Sequence, residues 1–391
     1  MRVRCSTAVV GSGPAGAAHA AALARAGEPV LLVGAGGWQR PGTIELLSGR
    51  LRPLLARLGV LEEVERRAPA CASTVFRWGG ERFAERSAAA DPWGPGWAVD
   101  RAWLDPLLEQ AAVAGGARLL RARVRELLRA GGRWELRCAC ADGTTATVSA
   151  EAVTVATGRG AVGAVSAGLL VRRRVRELIA VTAWAPELAS LGPRLLVDAA
   201  GDGWWYAMGD GRGATVGYVT DAPLLGGGSA RLRGAWEAAR PAWLPPIGGR
   251  LHGRPAFVQA ASWPDRDDDL IAIGDAALAL DPLSGHGLAV ALEGALVAAE
   301  DRAAYRRWHR ERLARALAEE PRVYAPMARR RPASPFWAVR AASADGLYAG
   351  GDDLRPSPNA EPGRRRGCAA PDRGGRVRGR GAAADVAGAD G

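Results

Sequence analysis

Lysine is absent from this sequence, so all 52 of its basic residues are arginines. Acidic residues number 41, which leaves a formal net charge of +11. The arginines are spread along an Ala/Gly-rich chain, a composition typical of a GC-biased coding sequence rather than of a surface selected for polyanions. The charge therefore does not predict a nucleic-acid partner.

Cysteines and long apolar runs are also scarce. The five cysteines include no C-x-x-C pair, which argues against a disulfide framework and a zinc site. Cys138 and Cys140 share one face of a predicted strand, where packed thiols are the simpler interpretation and a redox pair is the alternative. No apolar stretch reaches the length of a membrane span, and none has the form of a signal peptide. We therefore expect a cytoplasmic protein with no membrane span and no metal.

A glycine-rich segment near the N-terminus organises the chain. Gly11, Gly13 and Gly16 satisfy the pattern G-x-G-x-x-G. The first glycine allows a tight turn, the second lets the backbone approach a pyrophosphate, and the third lets a helix pack closely on a strand. Pro14 and Ala15 complete the turn, and the N-terminus of the following helix attracts phosphates. We predict a dinucleotide site here.

The surroundings of this motif support the prediction, with one departure. An apolar strand precedes it, the run Ala17–Ala26 predicts a helix, and Val30–Val33 predicts a second strand. The acidic residue that binds a ribose hydroxyl at the end of the second strand is replaced by Gly34. Either the ribose is held differently, or the dinucleotide is bound weakly.

Two further segments contain candidate cofactor contacts. Arg40 or the backbone at Gly42 would meet the ring system emerging from the first half of the site, although a plain connection explains this loop equally well. A helical pattern then runs from Leu46 to Leu58. Arg101 begins a helix, where the helix dipole disfavours a cation, so it invites a functional interpretation.

Two signals in the sequence predict where this last helix begins. Asp100 is a plausible N-cap, and Asp105-Pro106 is a second start signal for a helix reaching Ala114. Before it, residues 71–97 are predicted to be irregular to β-rich, with Trp78, Trp93 and Trp97 as apolar anchors.

The middle of the chain is predicted to be rich in β-strands. Gly131-Gly132 and Asp142-Gly143 are hairpin signals between residues 117 and 155. From 169 to 259, β-type runs predict a separate sheet that could roof a ligand cavity. Trp204 and Trp205 point to opposite faces of one strand, so at most one lines that cavity; Trp205 is retained as a candidate, with core packing as the alternative.

A second glycine-rich segment follows an apolar strand at 270–273. Asp275 stands at the carboxyl end of this strand, where open α/β sheets bind ligands, and its carboxylate can accept hydrogen bonds from a polyol chain. Gly285 and Gly287 open another helix N-terminus, which suits a ring carbonyl that gains negative charge. His286 lies in that turn and is either a site residue or a structural one, whereas His19, His252 and His309 are interpreted as structural.

These elements predict an α/β protein in which a Rossmann-like dinucleotide-binding domain is interleaved with a mostly antiparallel β-sheet substrate domain and followed by C-terminal helices. Helical character from Asp301 to Glu320 is predicted to stop at Pro321. The expected divisions are 1–165 with 262–300 for the cofactor domain (with a β excursion at 60–150), 166–261 for the substrate sheet, 301–345 for the helices and 350–391 for a disordered tail.

The ordered set of motifs resembles one superfamily over residues 7 to 340. The glycine motif, Asp100-Arg101, Ala156-Thr-Gly158, and Gly274-Asp275 with Asp281-Pro282-x-x-Gly-x-Gly287 are similar to those of single-FAD flavoprotein monooxygenases of the p-hydroxybenzoate hydroxylase type and flavin-dependent halogenases. Within this set, the closest resemblance is to the flavoproteins that mature tryptophylquinone-containing oxidases by oxygenating a tryptophan of a partner protein; it rests on Pro41-Gly42, Gly96-Trp97 with Asp100-Arg101, Gly203–Tyr206 and Phe336-Trp337.

The resemblance implies specific roles. Gly11, Gly13 and Gly16 would hold the FAD pyrophosphate, Arg101 would contact FAD, and Asp275 would bind the ribitol. Pro282, Gly285 and Gly287 would lie along the isoalloxazine, with His286 beside them. The implied reaction is hydroxylation of an aromatic ring, free or protein-borne, by molecular oxygen through a flavin C4a-hydroperoxide. NAD(P)H or a separate flavin reductase would supply the electrons, and no protein nucleophile or metal is required.

Alternatives remain open at this point. Tryptophan-type halogenases use a catalytic lysine, which this chain lacks, so a halogenase would need another device. A flavin-binding partner protein without turnover, or a reductase, oxidase or dehydrogenase of the same fold, is also compatible with the motifs.

Overall fold

The computed structural model describes residues 1–36, 42–160, 170–222, 229–263 and 269–342. At its centre is a parallel sheet with the strand order β7-β2-β1-β9-β17. These strands are β1 (Arg2–Val10), β2 (Val30–Gly34), β7 (Arg118–Ala130), β9 (Thr145–Val155) and β17 (Leu270–Ala272). All five residues of β2 are buried, because a parallel strand between neighbours needs apolar side chains on both faces.

A three-stranded meander extends this sheet on one side. Strand β8 (Arg133–Cys140) pairs antiparallel with the distal part of β7 and with the beginning of β9. The two turns fall at the predicted glycines: Gly131 and Gly132 have φ of 56° and 76°, and Gly143 has φ of 80°. These are left-handed conformations, which glycine adopts without strain. Both hairpin predictions are confirmed.

Three helices pack around this sheet. They are α1 (Pro14–Arg25), α4 (Arg101–Ala114) and α6 (Gly287–Glu300), and α1 contacts both of the others. His19 of α1 is fully buried; its Nδ1 lies 2.8 Å from the Ala295 carbonyl oxygen and its Nε2 lies 3.1 Å from the Thr154 hydroxyl. The histidine therefore ties α1 to α6 and to β9, which confirms the structural role predicted for it.

A second, seven-stranded sheet has the order β15-β11-β14-β13-β12-β4-β5. Its strands are β4 (Ser73–Arg77), β5 (Ala84–Ser87), β11 (Leu178–Ala185), β12 (Arg194–Ala200), β13 (Gly203–Gly209), β14 (Ala214–Asp221) and β15 (His252–Pro255). It is mostly antiparallel, but β4 joins β12 in parallel. The sheet thus draws two strands from 73–87, a region that the sequence division placed in the β excursion of the cofactor domain. The anchor predicted at Trp93 is wrong, since its side chain is 59% exposed.

Two small sheets and short helices connect these layers. Strand β3 (Ile44–Leu47) pairs with β6 (Trp97–Asp100), and β16 (Val258–Ser262) lies between β10 (Val171–Arg176) and β18 (Leu278–Ala279). The predicted helix from Leu46 is wrong at its start, because those residues belong to β3. Helical structure begins only at Gly49, continues as α2 (Arg52–Arg57) and is followed by α3 (Leu61–Arg67). An eleven-residue helix, α5 (Ser229–Ala239), covers one face of the large sheet.

The C-terminal described segment consists of α7 (Arg302–Arg330) and α8 (Pro335–Ala341). Helix α7 continues through Pro321 and Pro326, so the break predicted at Pro321 is wrong. Buried contacts hold this part of α7 in place: Glu320 forms an ion pair of 2.9 Å with Arg176 of β10, and both side chains are 7% exposed. None of the described helices is both long and apolar enough to cross a membrane. Arg40 and the tail at 350–391 lie outside the described residues.

Candidate cofactor site

The first glycine loop makes contacts that leave no room for larger residues. Gly11 has φ of 110°, and a Cβ there would lie 2.3 Å from the Ala156 carbonyl oxygen. A Cβ on Gly16 would lie 1.8 Å from the Gly11 carbonyl oxygen. Pro14 begins α1 and Ala15 is buried beside it. The loop therefore requires glycine at both positions, for the reasons that the motif predicted.

The carboxyl ends of three adjacent parallel strands converge at this loop. β1 ends at Val10, next to Gly11, β9 ends at Val155, next to Ala156, and β17 leads into the turn Gly274–Ala276. Gly274 has φ of 58°, and a Cβ on it would lie 2.7 Å from Cβ of Ala15. The second glycine segment thus lies directly on the first turn of α1, which brings Asp275 to the same edge of the sheet as the first loop.

Three polar side-chain atoms in the region of Asp275 have no hydrogen-bond partner among the described residues. The Asp275 carboxylate is 32% exposed and lies 3.3 Å from Nη1 of Arg159. Burial raises its pKa, and the Arg159 charge opposes that rise. Within the described residues, Thr157 Oγ1, Arg159 Nε and Gln259 Oε1 are shielded from solvent without a hydrogen-bond partner. Such orphaned groups cost free energy unless a ligand pairs with them, so this edge fits a polar ligand such as a ribitol phosphate.

Open space lies in front of the glycines that would face this ligand. An added Cβ would meet no heavy atom within 4 Å at Gly13, Gly158, Gly285 or Gly287. Gly13 is the N-cap of α1, so the unpaired N–H groups of that helix face the same opening. The open space beside these glycines, together with the unpaired polar atoms near Asp275, fits FAD.

Gly34 packs tightly against Ser12, which lies within the first glycine motif. A Cβ on Gly34 would lie 2.2 Å from Oγ and 2.4 Å from Cβ of Ser12. A side chain at 34, including the usual acidic one, is therefore incompatible with Ser12 in this arrangement. The end of β2 and the first glycine loop therefore pack directly against each other at this pair, with glycine on the strand and serine on the loop.

Arg101 occupies a position that its partners explain. Its Nε and Nη2 donate to the Asp105 carboxylate at 2.7 and 3.0 Å, and its Nη1 donates to Glu45 at 2.9 Å. Asp100 is the N-cap, because its side chain accepts from the Ala102 N–H at 2.9 Å. Helix α4 begins at Arg101, so Asp105-Pro106 lies inside the helix and the second predicted start is wrong. Two carboxylates offset the unfavourable dipole at this arginine.

The backbone of Gly42 is engaged within the protein. Its N–H donates to the Asp100 carboxylate at 2.9 Å, and its carbonyl accepts from the Thr215 hydroxyl at 2.6 Å. Its φ is 80°, and a Cβ would lie 2.9 Å from the Trp184 ring. Gly42, just before β3, therefore ties the end of β6 to β14, and this structural role is sufficient to explain the glycine.

Glu45 and Tyr206, which sequence reasoning missed, lie beside the candidate site. Glu45 is a 41% exposed acid within the short strand β3. Burial raises the pKa of Tyr206, and the Glu45 charge raises it further; Glu45 also acts on the pKa of Asp275. The three groups thus share one region between β3, β13 and the turn at Gly274–Ala276. The only available signal was an isolated acid in an apolar strand.

The two tryptophans of β13 separate as predicted, onto opposite faces of the sheet. Trp204 packs with Tyr206 at a ring-centroid distance of 6.0 Å and is itself only 2% exposed. Trp205 is fully buried under α5; its ring lies 4.5 Å from that of Trp236, and its Nε1 donates to the Ala239 carbonyl at 3.1 Å. Trp205 is therefore a core residue, and its candidacy for the cavity is wrong.

The second helix N-terminus of the site begins with a tight turn at Pro282–Ser284. Asp281 caps this turn by accepting from the Leu283 N–H at 2.9 Å, and it also accepts from the Tyr324 hydroxyl at 3.0 Å. Gly285 follows in the left-handed region with φ of 62°, and His286 is the N-cap of α6. The pKa of His286 is lowered by burial and by nearby arginines, which favours the neutral ring.

These loops and sheets define a single-FAD flavoprotein with a Rossmann-type cofactor domain. No family model matches the chain. It is 30% identical over 338 residues to the menaquinone reductase of Mycolicibacterium smegmatis, covering 77% of this chain and 76% of that protein. The chain belongs to the family of that reductase, within the superfamily of FAD-dependent monooxygenases and halogenases, and it is an FAD-dependent oxidoreductase.

Solved structures agree with this placement. The chain is 26% identical to QhpG, a peptidyl tryptophan dihydroxylase essential for tryptophylquinone cofactor biogenesis; the match covers 87% of this chain and 79% of QhpG, with a TM-score of 0.68. It is 23% identical to the flavin-dependent halogenase CmlS, over 89% of this chain and 70% of CmlS, with a TM-score of 0.73. The predicted fold class and superfamily are confirmed.

Proposed function

We propose that this oxidoreductase is a monooxygenase that hydroxylates an electron-rich aromatic ring. The observation that supports this most directly is the half-buried Tyr206 with Glu45 beside Asp275, with the buried Trp204 packed against Tyr206. A partly exposed aromatic side chain such as Tyr206 offers an apolar, stacking surface to a ring, and a carboxylate can accept a hydrogen bond from an indole N–H or a phenol. The similarity to the peptidyl tryptophan dihydroxylase supports an indole, free or on a partner protein, as the ring.

The chain's own residues would bind and orient the cofactor. Gly13, Ala15 and Gly16 would offer backbone N–H groups to the pyrophosphate at the N-terminus of α1, while Gly11 and Pro14 would border it and shape the turn. When bound, FAD supplies the oxygen-activating chemistry, which no amino-acid side chain provides. The protein's part is to orient the substrate ring and to exclude water.

The remaining contacts complete this arrangement. Asp275 would accept hydrogen bonds from the ribitol, while Pro282, Gly285, His286 and Gly287 would border the ring at the N-terminus of α6. Three residues earlier in the chain would also contact FAD: Arg40, Gly42 and Arg101. Arg101 would act with Glu45, since their ion pair lies next to the Asp275 region. The division into a cofactor domain (1–165 and 262–300), a substrate sheet (166–261) and C-terminal helices (301–345) belongs to the same proposal.

Two further parts of the proposal are the electron donor and the compartment. NAD(P)H, or a flavin reductase that delivers reduced flavin, would supply two electrons for each molecular oxygen. One oxygen atom would enter the ring and the other would leave as water. We place this reaction in the cytoplasm.

A reductase is the second candidate, because the M. smegmatis relative is a menaquinone reductase. A halogenase is less well supported, because the chain has no lysine to serve as the catalytic residue of tryptophan-type halogenases. A flavin-binding partner protein without turnover is the non-enzymatic candidate.

One experiment separates these functions. The FAD-loaded protein is incubated with NADH or NADPH and either a tryptophan-containing peptide, N-acetyltryptophanamide or menaquinone, with ¹⁸O₂ or without oxygen. A monooxygenase incorporates one ¹⁸O atom into an indole product and forms none anaerobically. Reduction of menaquinone that proceeds equally well without oxygen would support the reductase, and oxygen-dependent products that require bromide or chloride would support the halogenase.

A further inference from the structure

A cavity of about 400 Å³ lies where the parallel strands β4 and β12 end, and it opens to solvent. The loop after β4 and the C-terminal ends of α5 and α7 complete its walls. Its lining shares no residue with the candidate cofactor site. Small-molecule sites typically have volumes of about 300–1,000 Å³, so the cavity is large enough to hold a ligand.

The lining of this cavity, which we call the arginine cavity, is divided between charged and apolar residues. The apolar part consists of three alanines with Pro241 and Met327. The charged part consists of Arg77, Arg240, Arg330, Arg331 and Glu81. A ligand in the cavity would therefore touch four guanidinium groups, one carboxylate and an apolar wall.

Two of these arginines are paired with acids that do not line the cavity. Nε and Nη2 of Arg77 donate to the Asp198 carboxylate at 2.8 and 2.7 Å, and Asp198 is fully buried. Nε of Arg240 donates to Glu237 at 2.8 Å. An anion in the cavity would meet these two guanidinium groups directly and would meet their carboxylates only behind them.

The other two arginines lie at the end of α7. Nη2 of Arg330 donates to Glu81 at 2.9 Å, in an exposed pair of the kind that contributes little. Of the four arginines, only Arg331 lacks an acidic partner in the described part of the chain, so a single negative charge would balance the cavity. The last residues of α5 and α7 also line it, but a helix C-terminus contributes only about half a unit of negative charge.

The arginines are held in place and remain accessible. Trp243 Nε1 donates to the Asp198 carboxylate at 2.8 Å, and Nη1 of Arg240 donates to a backbone carbonyl at 2.7 Å, which ties the segment after α5 to β12. Nη1 of Arg77 and Nη2 of Arg240 form no hydrogen bond with the described residues. The side chains of Arg77, Arg240 and Arg330 are 33%, 29% and 41% exposed, so a ligand can reach them. Groups that are already oriented lose less freedom when they bind.

We propose that the arginine cavity binds a small monocarboxylate with an apolar body. Planar guanidinium groups match the two oxygens of a carboxylate, and the alanines, Pro241 and the adaptable side chain of Met327 would contact the apolar body. The proposal does not depend on the FAD site, because the two sites share no residue.

Hexanoate is the probe that tests the cavity, and its aliphatic chain distinguishes it from the aromatic ring proposed as the substrate. Isothermal titration calorimetry of the full chain, with and without FAD, is expected to show one saturable site per chain. Hexanol lacks the charge and acetate lacks the apolar body, so each is expected to bind at least about tenfold more weakly than hexanoate.

Two charge-reversal variants of neighbouring arginines locate the binding. Arg331→Glu is expected to weaken hexanoate binding at least about tenfold, because a charge-assisted hydrogen bond is replaced by repulsion. Arg329→Glu makes the same change of charge at an exposed residue of α7 outside the lining, and is expected to weaken binding by less than about twofold. Arg331→Gln should give a smaller loss than Arg331→Glu, in the same direction.

The proposal would be overturned by the absence of saturable hexanoate binding. Equal weakening by the Arg331 and Arg329 variants would also overturn it, because it would reveal nonspecific attraction to a basic chain. Hexanol or acetate binding as tightly as hexanoate would refute the class of ligand. A chain that binds hexanoate but no FAD would count against the proposed function alone.

Discussion

The steric coupling of Ser12 and Gly34 makes a quantitative prediction about stability. A Cβ at 34 would lie 2.2 Å from Ser12 Oγ and 2.4 Å from Ser12 Cβ, whereas ordinary contacts begin at 3.4 Å. Rotation of the serine side chain cannot relieve the Cβ contact. Gly34→Ala is therefore expected to lower the free energy of unfolding by about 1–3 kcal/mol, the usual cost of overpacking.

Ser12→Gly should rescue this variant. Removal of the serine side chain leaves Ser12 N as the next atom, at 3.3 Å from the added Cβ. Ser12→Gly alone is expected to cost about 0.5–1 kcal/mol through added backbone freedom. The double variant should lose little more than that, which gives a coupling energy of about 1–3 kcal/mol. Urea unfolding of the four apoproteins, followed by circular dichroism, measures the cycle, and additive losses would refute the steric explanation.

The same pair tests where the ribose of FAD lies in the proposed cofactor site. In the Ser12→Gly background, Gly34→Glu restores the carboxylate that usually binds a ribose hydroxyl. A charge-assisted hydrogen bond of about 1.5–3 kcal/mol should tighten FAD binding by about tenfold or more relative to Ser12→Gly alone. Fluorescence quenching of FAD gives the two dissociation constants. Equal constants would contradict the location of the ribose next to residue 34.

Three further predictions concern other parts of the molecule. Burial lowers the pKa of His19 to about 4, so the free energy of unfolding should be roughly 2 kcal/mol smaller at pH 5 than above pH 6.5. Urea titrations should show a weaker pH dependence for His19→Gln. The same pH dependence in the wild type and in His19→Gln would contradict this prediction. Arg176→Met should destabilise by about 3–5 kcal/mol, because Glu320 is left buried and unpaired, whereas the double change to methionine should cost much less; equal losses in thermal unfolding would be inconsistent with this pair. Glu45→Gln should raise the flavin midpoint potential by tens of millivolts, because it removes a negative charge beside the proposed flavin site. Spectroelectrochemistry checks this, and a fall in potential would exclude Glu45 from the site.

The elements that the sequence predicts well are those whose local chemistry admits few alternatives. The turns at Gly11 and Gly274 need left-handed φ and close backbone contact, so each motif implies its strand, turn and neighbouring helix. The turns at Gly131 and Gly143 are marked in the same way. The capping role of Asp100 also follows from a single side chain and its next neighbours.

The errors arise where distant residues decide the outcome. Pro321 should end a helix on local grounds, but α7 passes through it, and the residue before it, Glu320, is held by Arg176, 144 residues away. Arg101 is unexplained until Glu45 approaches from β3. The parallel pairing of β4 with β12 likewise joins segments more than 100 residues apart, which no local pattern encodes.

The central claim is that this chain binds FAD and uses it to transfer electrons. The most direct test is the absorbance spectrum of the purified protein after addition of FAD and removal of the excess, followed by anaerobic titration with NADH and NADPH. We predict one FAD per chain, bleaching by one of these donors or by a flavin reductase supplied with it, and return of the oxidised spectrum on aeration. A protein that retains no stoichiometric FAD after reconstitution would contradict the assignment of the Gly11–Gly16 and Asp275 loops to a cofactor site.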